Sequence, residues 1–281
     1  TIEAKYPNLI CISTIPATQY PSMSVKGKEA AVVDEHYYRN SWDMWENASQ
    51  YDKYDRNGPK IFVGEWATRE GVPTTNLNAA LGDAAWMTGM ERNSDLIVMS
   101  CYAPLFVNVS KDSATGKRAW QWDSDLIGYD ALNSYGSPSY YVQQLFNHYL
   151  GNKIVPATFE NVPVQNKPLS KKDSADGIKV TTVPTVFYAA TRNDTTGTIY
   201  LKIVNASSKK QTIKINLNGV DKVEQEATMV VIKSNQPDDT NTITDRENIK
   251  PVTSIIKGIK TSFTKVFEPY SVNILELKTG K

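Results

Sequence analysis

The sequence predicts two regions of different fold class, α/β over residues 1–152 and antiparallel all-β over residues 153–281. Two observations carry this reading. In the first region, short and nearly continuous apolar runs alternate with helix-like stretches, the pattern of parallel strands covered on both faces. In the second, apolar and polar residues alternate with period two between turn residues, the pattern of strands with one buried face.

The strands expected in the first region are 9–14 (LICIST), 32–38 (VVDEHYY), 60–65 (KIFVGE) and 96–102 (LIVMSCY). The residues before the first strand read as the end of a helix. Ser41 is the expected cap of a helix carrying Trp42, Trp45 and Tyr51, which should stop at Asn57-Gly58-Pro59. Leu77, Ala80, Leu81, Ala84 and Met87 have helical spacing. Ser137-Pro138 opens a further helix through Tyr141, Leu145 and Phe146, ending before Gly151.

In the second region the expected strands are 186–192, 199–205, 211–217, 229–233, 262–267 and 272–277, with turns such as 193–197 and Asn218-Gly219 between several of them. This is the pattern of an antiparallel β-sandwich. Segments 166–177 and 236–250 read as polar loops, the second long enough to be a mobile excursion.

Composition excludes several function classes. Hydrophobic residues make up 40% and charged residues 22% of the 281, which is ordinary for a soluble globular protein. A formal charge of +1 gives no pull toward nucleic acid or an anionic membrane surface, so neither is expected as a partner. No apolar run approaches the roughly 20 residues that span a bilayer. Cys11 and Cys101 each sit in an apolar run and are expected as buried free thiols rather than a disulfide framework. Two histidines and two separated cysteines offer no metal-ligand spacing, and neither a metal nor a cofactor is expected. Triplets at Asn47, Asn108, Asn193 and Asn205 fit the glycosylation pattern, but such triplets are common by chance and decide nothing about the compartment. An extracellular or periplasmic setting is slightly preferred.

The run Ile61-Phe62-Val63-Gly64-Glu65-Trp66-Ala67 carries the chemistry. A short apolar strand ends on a carboxylate followed by a tryptophan, and the ends of parallel strands are where the loops lining a cleft depart. A carboxylate with a ring beside it suits sugar chemistry: the acid attacks or stabilises an oxocarbenium-like centre, and the ring offers a stacking face. Glutamate at a strand end is also an ordinary ion-pair partner or helix cap. His36 and Tyr38 lie two residues apart, hence on one face of their strand, with Glu35 on the other. The fourth strand runs into Tyr102-Ala-Pro-Leu-Phe106 and a loop carrying Trp120, Gln121, Trp122, Asp123 and Asp125. A lone histidine among apolar residues is more often a core residue, and the two tryptophans could simply pack the loop. Their convergence at strand ends is harder to dismiss than any one of them.

Taken together, "VVDEHYY", "NGPKIFVGEWA", "AAWMTGMERNSDLIVMSCYAPLF", "AWQWDSDLIGYD" and "GSPSYYVQQLF" resemble glycoside hydrolase family 51, the α-L-arabinofuranosidases. The resemblance continues through "FYAATRNDTTGTIYLKIVN" and "FEPYSVNILELK", so it covers almost the whole chain. It implies a retaining exo-glycosidase built on a (β/α)8 TIM barrel with a C-terminal β-sandwich, acting on terminal α-L-arabinofuranosyl residues of arabinan or arabinoxylan without a cofactor. It also implies that Glu65 is the nucleophile at the end of the barrel's seventh strand. Tyr38 would hydrogen-bond or position Glu65, His36 would shape the sugar subsite, and Trp66 and Trp122 would pack around the furanose. The run Glu91-Arg92-Asn93-Ser-Asp95, also typical of the family, precedes its strand and reads as a structural ion-pair and capping network.

One part of the pattern is missing. Retaining hydrolysis needs two carboxyl groups about 5–5.5 Å apart, and the family's acid/base glutamate follows an asparagine at the end of the fourth barrel strand. Strand 9–14 matches the fifth, and no such Asn-Glu precedes it. The chain is therefore expected to be the C-terminal half of the barrel plus the sandwich, needing a missing barrel half or self-association, and inactive alone. Glu35 should face the helix layer and is a poor substitute. Two competing readings are a non-catalytic support or carbohydrate-contacting module, and a clan-related glycosidase acting on another sugar.

Overall fold

The computed structural model describes residues 2–14, 30–111, 114–169, 175–176, 178 and 180–280. Its first sheet has four parallel strands side by side in chain order: β1 (Ile12–Ser13), β2 (Val32–Arg39), β3 (Lys60–Thr68) and β4 (Ile97–Tyr102). Helices α1 (Ile2–Lys5), α2 (Ser41–Asn47), α3 (Leu77–Arg92) and α4 (Pro138–His148) precede, separate or follow these strands. Consecutive parallel strands alternating with helices form half of a (β/α)8 wall, and an antiparallel β-sandwich follows it. The expected strand 9–14 shortens to Ile12–Ser13.

Both thiols correct the sequence reading: Cys11 and Cys101 are exposed. β1 and β4 are the two edges of this sheet, each with a neighbour on one side only. Apolar strands are buried on both faces only where the wall closes. Here Val98 and Met99 stay 47% and 51% exposed.

The cap of α2 is also corrected. Asn40 holds the capping position and accepts the Asp43 N–H at 2.9 Å. Ser41 is the first helical residue, and its N–H and hydroxyl both donate to Glu70. At α4, Ser137 caps the Tyr140 N–H and Pro138 occupies the first turn, where its missing N–H costs nothing.

Beyond β4 a small sheet of β5 (Phe106–Asn108), β6 (Ile127–Tyr129) and β7 (Ser134–Gly136) leads to α4. The sandwich then comprises β8 (Lys153–Ile154), β9 (Val164–Lys167), β10 (Thr181–Pro184), β11 (Val186–Asn193), β12 (Thr198–Asn205), β13 (Gln211–Asn216), β14 (Glu226–Lys233), β15 (Val252–Lys257), β16 (Ser262–Phe267) and β17 (Ser271–Lys278). Its main sheet has the order β15-β14-β17-β12-β11-β8, all antiparallel, and β13 pairs with β16 across the core. The β9–β10 pair occupies the edges of the expected loop 166–177, whose residues 170–174 and 177 lie outside the described residues.

The period-two pattern gives the main sheet two apolar faces. Ile199, Leu201, Ile203, Leu275 and Leu277 meet Ile213, Ile215, Phe263 and Phe267 inside the sandwich. On the opposite face, Phe187, Val204, Val272 and Ile274 meet Leu81, Ala84 and Ala85 of α3 and Val142 and Phe146 of α4. The other side of α3 turns Trp86 and Met90 toward Ile61 and Val63 of β3. Helix α3 is therefore enclosed between two sheets, which explains why its sequence is apolar nearly all round. Lys202 extends from β12 to Glu91 at the end of α3, an ion pair buried at both ends, while Arg92 and Asn93 bond Asp52, and Arg56 pairs with Asp95.

Segment 236–250 is no excursion. The carbonyls of Asp239 and Pro237 accept the free N–H groups of Leu77 and Asn78 at the start of α3, and Thr240 donates to the Thr75 carbonyl. Asn241, 1% exposed, donates to the carbonyls of Gly136 and Ile249. Helix starts leave N–H groups that need partners, and this segment supplies them.

Candidate active site

Three of the expected site residues come together at the C-terminal ends of β2 and β3. Plain alternation from Ile61 and Val63, both turned to the helix layer, would send Glu65 the same way. A register shift between β2 and β3 prevents this: Glu35 pairs with Val63, but His36 pairs with Glu65, leaving Gly64 as the extra residue. Such a bulge reverses the faces beyond it. Its backbone is held by Asp34, whose Oδ1 accepts the Gly64 N–H at 3.1 Å. A Cβ at position 64 would press on that oxygen and on the Phe62 ring, so a side chain there would push Asp34 off the bulge.

Glu65 therefore joins His36 and Tyr38. The Tyr38 hydroxyl donates to Glu65 Oε2 at 2.6 Å, and His36 Nδ1 lies 3.6 Å from the same oxygen. The other ring nitrogen of His36 meets Asp34 Oδ2 at 3.0 Å, which orients the imidazole between the two carboxylates. The side chains of His36 and Glu65 are 47% and 46% exposed, open to a ligand. Desolvation, followed by the bond to Glu65, pushes the Tyr38 phenol up to about 12, so it remains a donor through the neutral range. Arg69 stands 5.6 Å from the centre of the Tyr38 ring.

Trp66 does not join them, which corrects the reading of it as a sugar-packing ring. It is 1% exposed, sits in the core with Val63 and Trp86, and meets Tyr102 edge-on at 5.4 Å. The bulge that turns Glu65 toward the cleft turns the next residue to the helices. Trp122 is 56% exposed on the loop after β5, and among the described residues no hydrogen bond or ring contact joins it to Glu65, His36 or Tyr38. That loop is fixed nearby through Ser124, which accepts from Tyr102 and donates to the Gly71 carbonyl.

Glu35 faces the helix layer as its alternation implies. It is 1% exposed and accepts from the phenols of Tyr37, Tyr54 and Tyr51 at 2.6, 3.1 and 3.3 Å. Asp34 was not singled out in the sequence, although its two-residue spacing from His36 was a usable signal. Among the described residues, no three of His, Cys, Asp and Glu gather to hold a metal ion.

Residues 42–271 match the model of the α-L-arabinofuranosidase C-terminal domain. The chain belongs to this family. It is 36% identical over 175 residues to an extracellular exo-α-L-arabinofuranosidase of Streptomyces chartreusis, covering 60% of this chain and 20% of that protein. It is 30% identical over 282 residues to α-L-arabinofuranosidase 2 of Arabidopsis thaliana, covering 99% of this chain and 37% of that one. The chain thus spans well under half the length of these relatives. An arabinose-bound family 51 α-L-arabinofuranosidase superposes with a TM-score of 0.81 at 27% identity, over 99% of this chain and 41% of that chain. The Thermotoga maritima α-L-arabinofuranosidase in complex with arabinose gives 0.68 at 15% identity, over 89% and 53%, a likeness of fold alone.

Proposed function

We propose that this chain carries the nucleophile half of a retaining, exo-acting α-L-arabinofuranosidase that removes terminal α-L-arabinofuranosyl residues from arabinan or arabinoxylan. The observation that carries the reading is the Tyr38–Glu65 hydrogen bond at the strand ends, found in a chain of the arabinofuranosidase C-terminal domain family. Tyr38 holds Oε2, and Oε1 accepts no hydrogen bond among the described residues, so one oxygen is restrained while the other is free to attack. Attack at the anomeric carbon forms an arabinosyl ester and expels the aglycone; water then cleaves the ester and returns the anomeric configuration.

The aglycone leaves only when protonated or intrinsically stable. Asp34 has both oxygens engaged, by the Gly64 amide and by His36, and Glu35 is enclosed by phenols. Neither serves as the acid. The proposal is that the acid/base carboxyl belongs to a further barrel half that pairs with the exposed edges of β1 and β4. The likeness to an extracellular Streptomyces enzyme favours an extracellular setting here.

An assay with leaving groups of graded acidity tests this. The chain alone should release 2,4-dinitrophenol, which needs no proton, from its α-L-arabinofuranoside in a Glu65-dependent burst, and should leave arabino-oligosaccharides intact. Steady cleavage of the oligosaccharides, abolished in Glu65→Gln, would show that the chain has its own acid.

A further inference from the structure

A cavity lies where the helix layer meets the sandwich. Helices α2 and α3 and strand β11 surround about 200 Å³ there. It shares no lining residue with the cluster of Glu65, His36 and Tyr38, and none with the open edges β1 and β4. The reaction proposed above does not use it.

Trp45 of α2 lines this cavity and is 3% exposed, yet its Nε1–H has no acceptor among the described residues. Buried donors nearly always find a partner. An indole donates and cannot accept, so whatever fills the cavity beside it must offer a lone pair. The charged groups on the lining are otherwise matched. Asp52 accepts from both Nε and Nη2 of Arg92, at 3.1 and 3.0 Å. Glu46 accepts from Lys167 on one oxygen at 2.6 Å, and its other oxygen accepts no hydrogen bond among the described residues. Two acids matched by two bases call for neither an anion nor a cation. Phe187 and Val186 of β11, both buried, give the cavity an apolar wall.

The occupant that fits these walls is neutral, both donates and accepts hydrogen bonds, and carries an apolar face. A sugar has all three properties: one hydroxyl accepts, the next donates, and the C–H face of the ring lies on an aromatic side chain. Volume sets the size. Drug-sized ligands fill roughly 300–1,000 Å³, so this smaller space takes a single ring.

We propose that the cavity between α2, α3 and β11 is a non-catalytic sugar site. It holds one neutral pentose, with a hydroxyl oxygen on the Trp45 indole N–H and a second hydroxyl donating to Glu46. The assignment does not depend on Glu65 being the nucleophile.

The test is a titration of the 281-residue chain with L-arabinose, followed by the indole N–H resonances. The 6 tryptophans give one signal each. Trp45 is identified by the signal missing in Trp45→Phe or, should that variant fail to fold, by through-space contact with Trp42, whose ring centre is 4.9 Å away. The Trp45 signal should move and saturate, with half-saturation at about 1–10 mM, the range of a small ligand held by few hydrogen bonds. Glu46→Gln, at a side chain 42% exposed, replaces a charged acceptor with a neutral one and should raise that concentration about three- to tenfold. Methyl α-L-arabinofuranoside runs in parallel: matching saturation assigns the terminal residue of a glycan as well as the free sugar, and its absence assigns the free sugar alone.

A Trp45 shift that never saturates and that glycerol reproduces shows a water-filled gap and overturns the proposal. So does a response confined to the amides of Glu65 and Tyr38, which places the sugar at the strand ends instead. Equal affinity in wild type and Glu46→Gln overturns it as well. Failure of Glu65 to label in its own assay leaves these outcomes unchanged.

Discussion

Tyr38 and Glu65, 27 residues apart and on adjacent strands, are joined by a 2.6 Å hydrogen bond from phenol to carboxylate. Two half-exposed side chains hold this geometry because the bulge at Gly64 brings both to one face. Tyr38→Phe removes the donor and keeps the ring. A hydrogen bond to a charged group contributes about 1.5–3 kcal/mol, so if its loss is felt in the aim of the carboxylate, Glu65 labelling should slow by about 10- to 100-fold. Stopped-flow release of dinitrophenol measures it.

Gly64→Ala places a methyl group against Asp34 Oδ1. Asp34 must then give up its bond to the bulge or the bulge must shift, costing about 1–3 kcal/mol, the usual range for overpacking, and Glu65 should lose its fixed pairing with Tyr38. Urea unfolding should report the loss of stability, and labelling should fall below detection. Labelling at the wild-type rate would show that the bulge does not aim Glu65.

The two tryptophans separate packing from ligand contact. Trp66→Ala opens a cavity in the core and should cost about 3–5 kcal/mol. Trp122→Ala removes an exposed ring and should change stability by less than about 0.5 kcal/mol. If Trp122 lines the furanose, its loss raises the concentration of arabinofuranoside needed for half-maximal labelling. Equal stability losses in the two variants would contradict the burial difference.

Burial of the Asp83 carboxyl in α3 makes stability fall with rising pH. Its carboxyl titrates near 3.8 when unfolded and about 7 when folded, so the native state holds the proton more tightly. The contribution is complete below roughly pH 4 and is lost progressively up to about pH 7, a total on the order of 4 kcal/mol. Asp83→Asn removes this dependence. At pH 8 the variant should melt at a higher temperature than the wild type, and near pH 4 the two should converge. Calorimetry at the two pH values checks the sign.

Much of this was legible in the residues. β2, β3, α3, α4 and the main sandwich strands follow from continuous apolar runs, helical spacing and period-two alternation. His36, Tyr38 and Glu65 were identified by their strand-end positions and by family resemblance. The facing of Trp66 was not legible, because a one-residue bulge leaves no trace in alternation and reverses everything after it. Cys11 and Cys101 misled because an apolar run implies burial only when neighbouring strands are present. Segment 236–250 looked free because its bonds to Leu77 and Asn78 use backbone carbonyls, which no side-chain pattern reveals.

The most direct measurement is the site of covalent labelling. After reaction with the 2-fluoro-arabinofuranoside, peptide mapping by mass spectrometry should find one added fluoro-arabinosyl group, on Glu65, and none in Glu65→Gln. A label on Asp34 or His36 instead, or an undiminished label in the variant, would contradict the account.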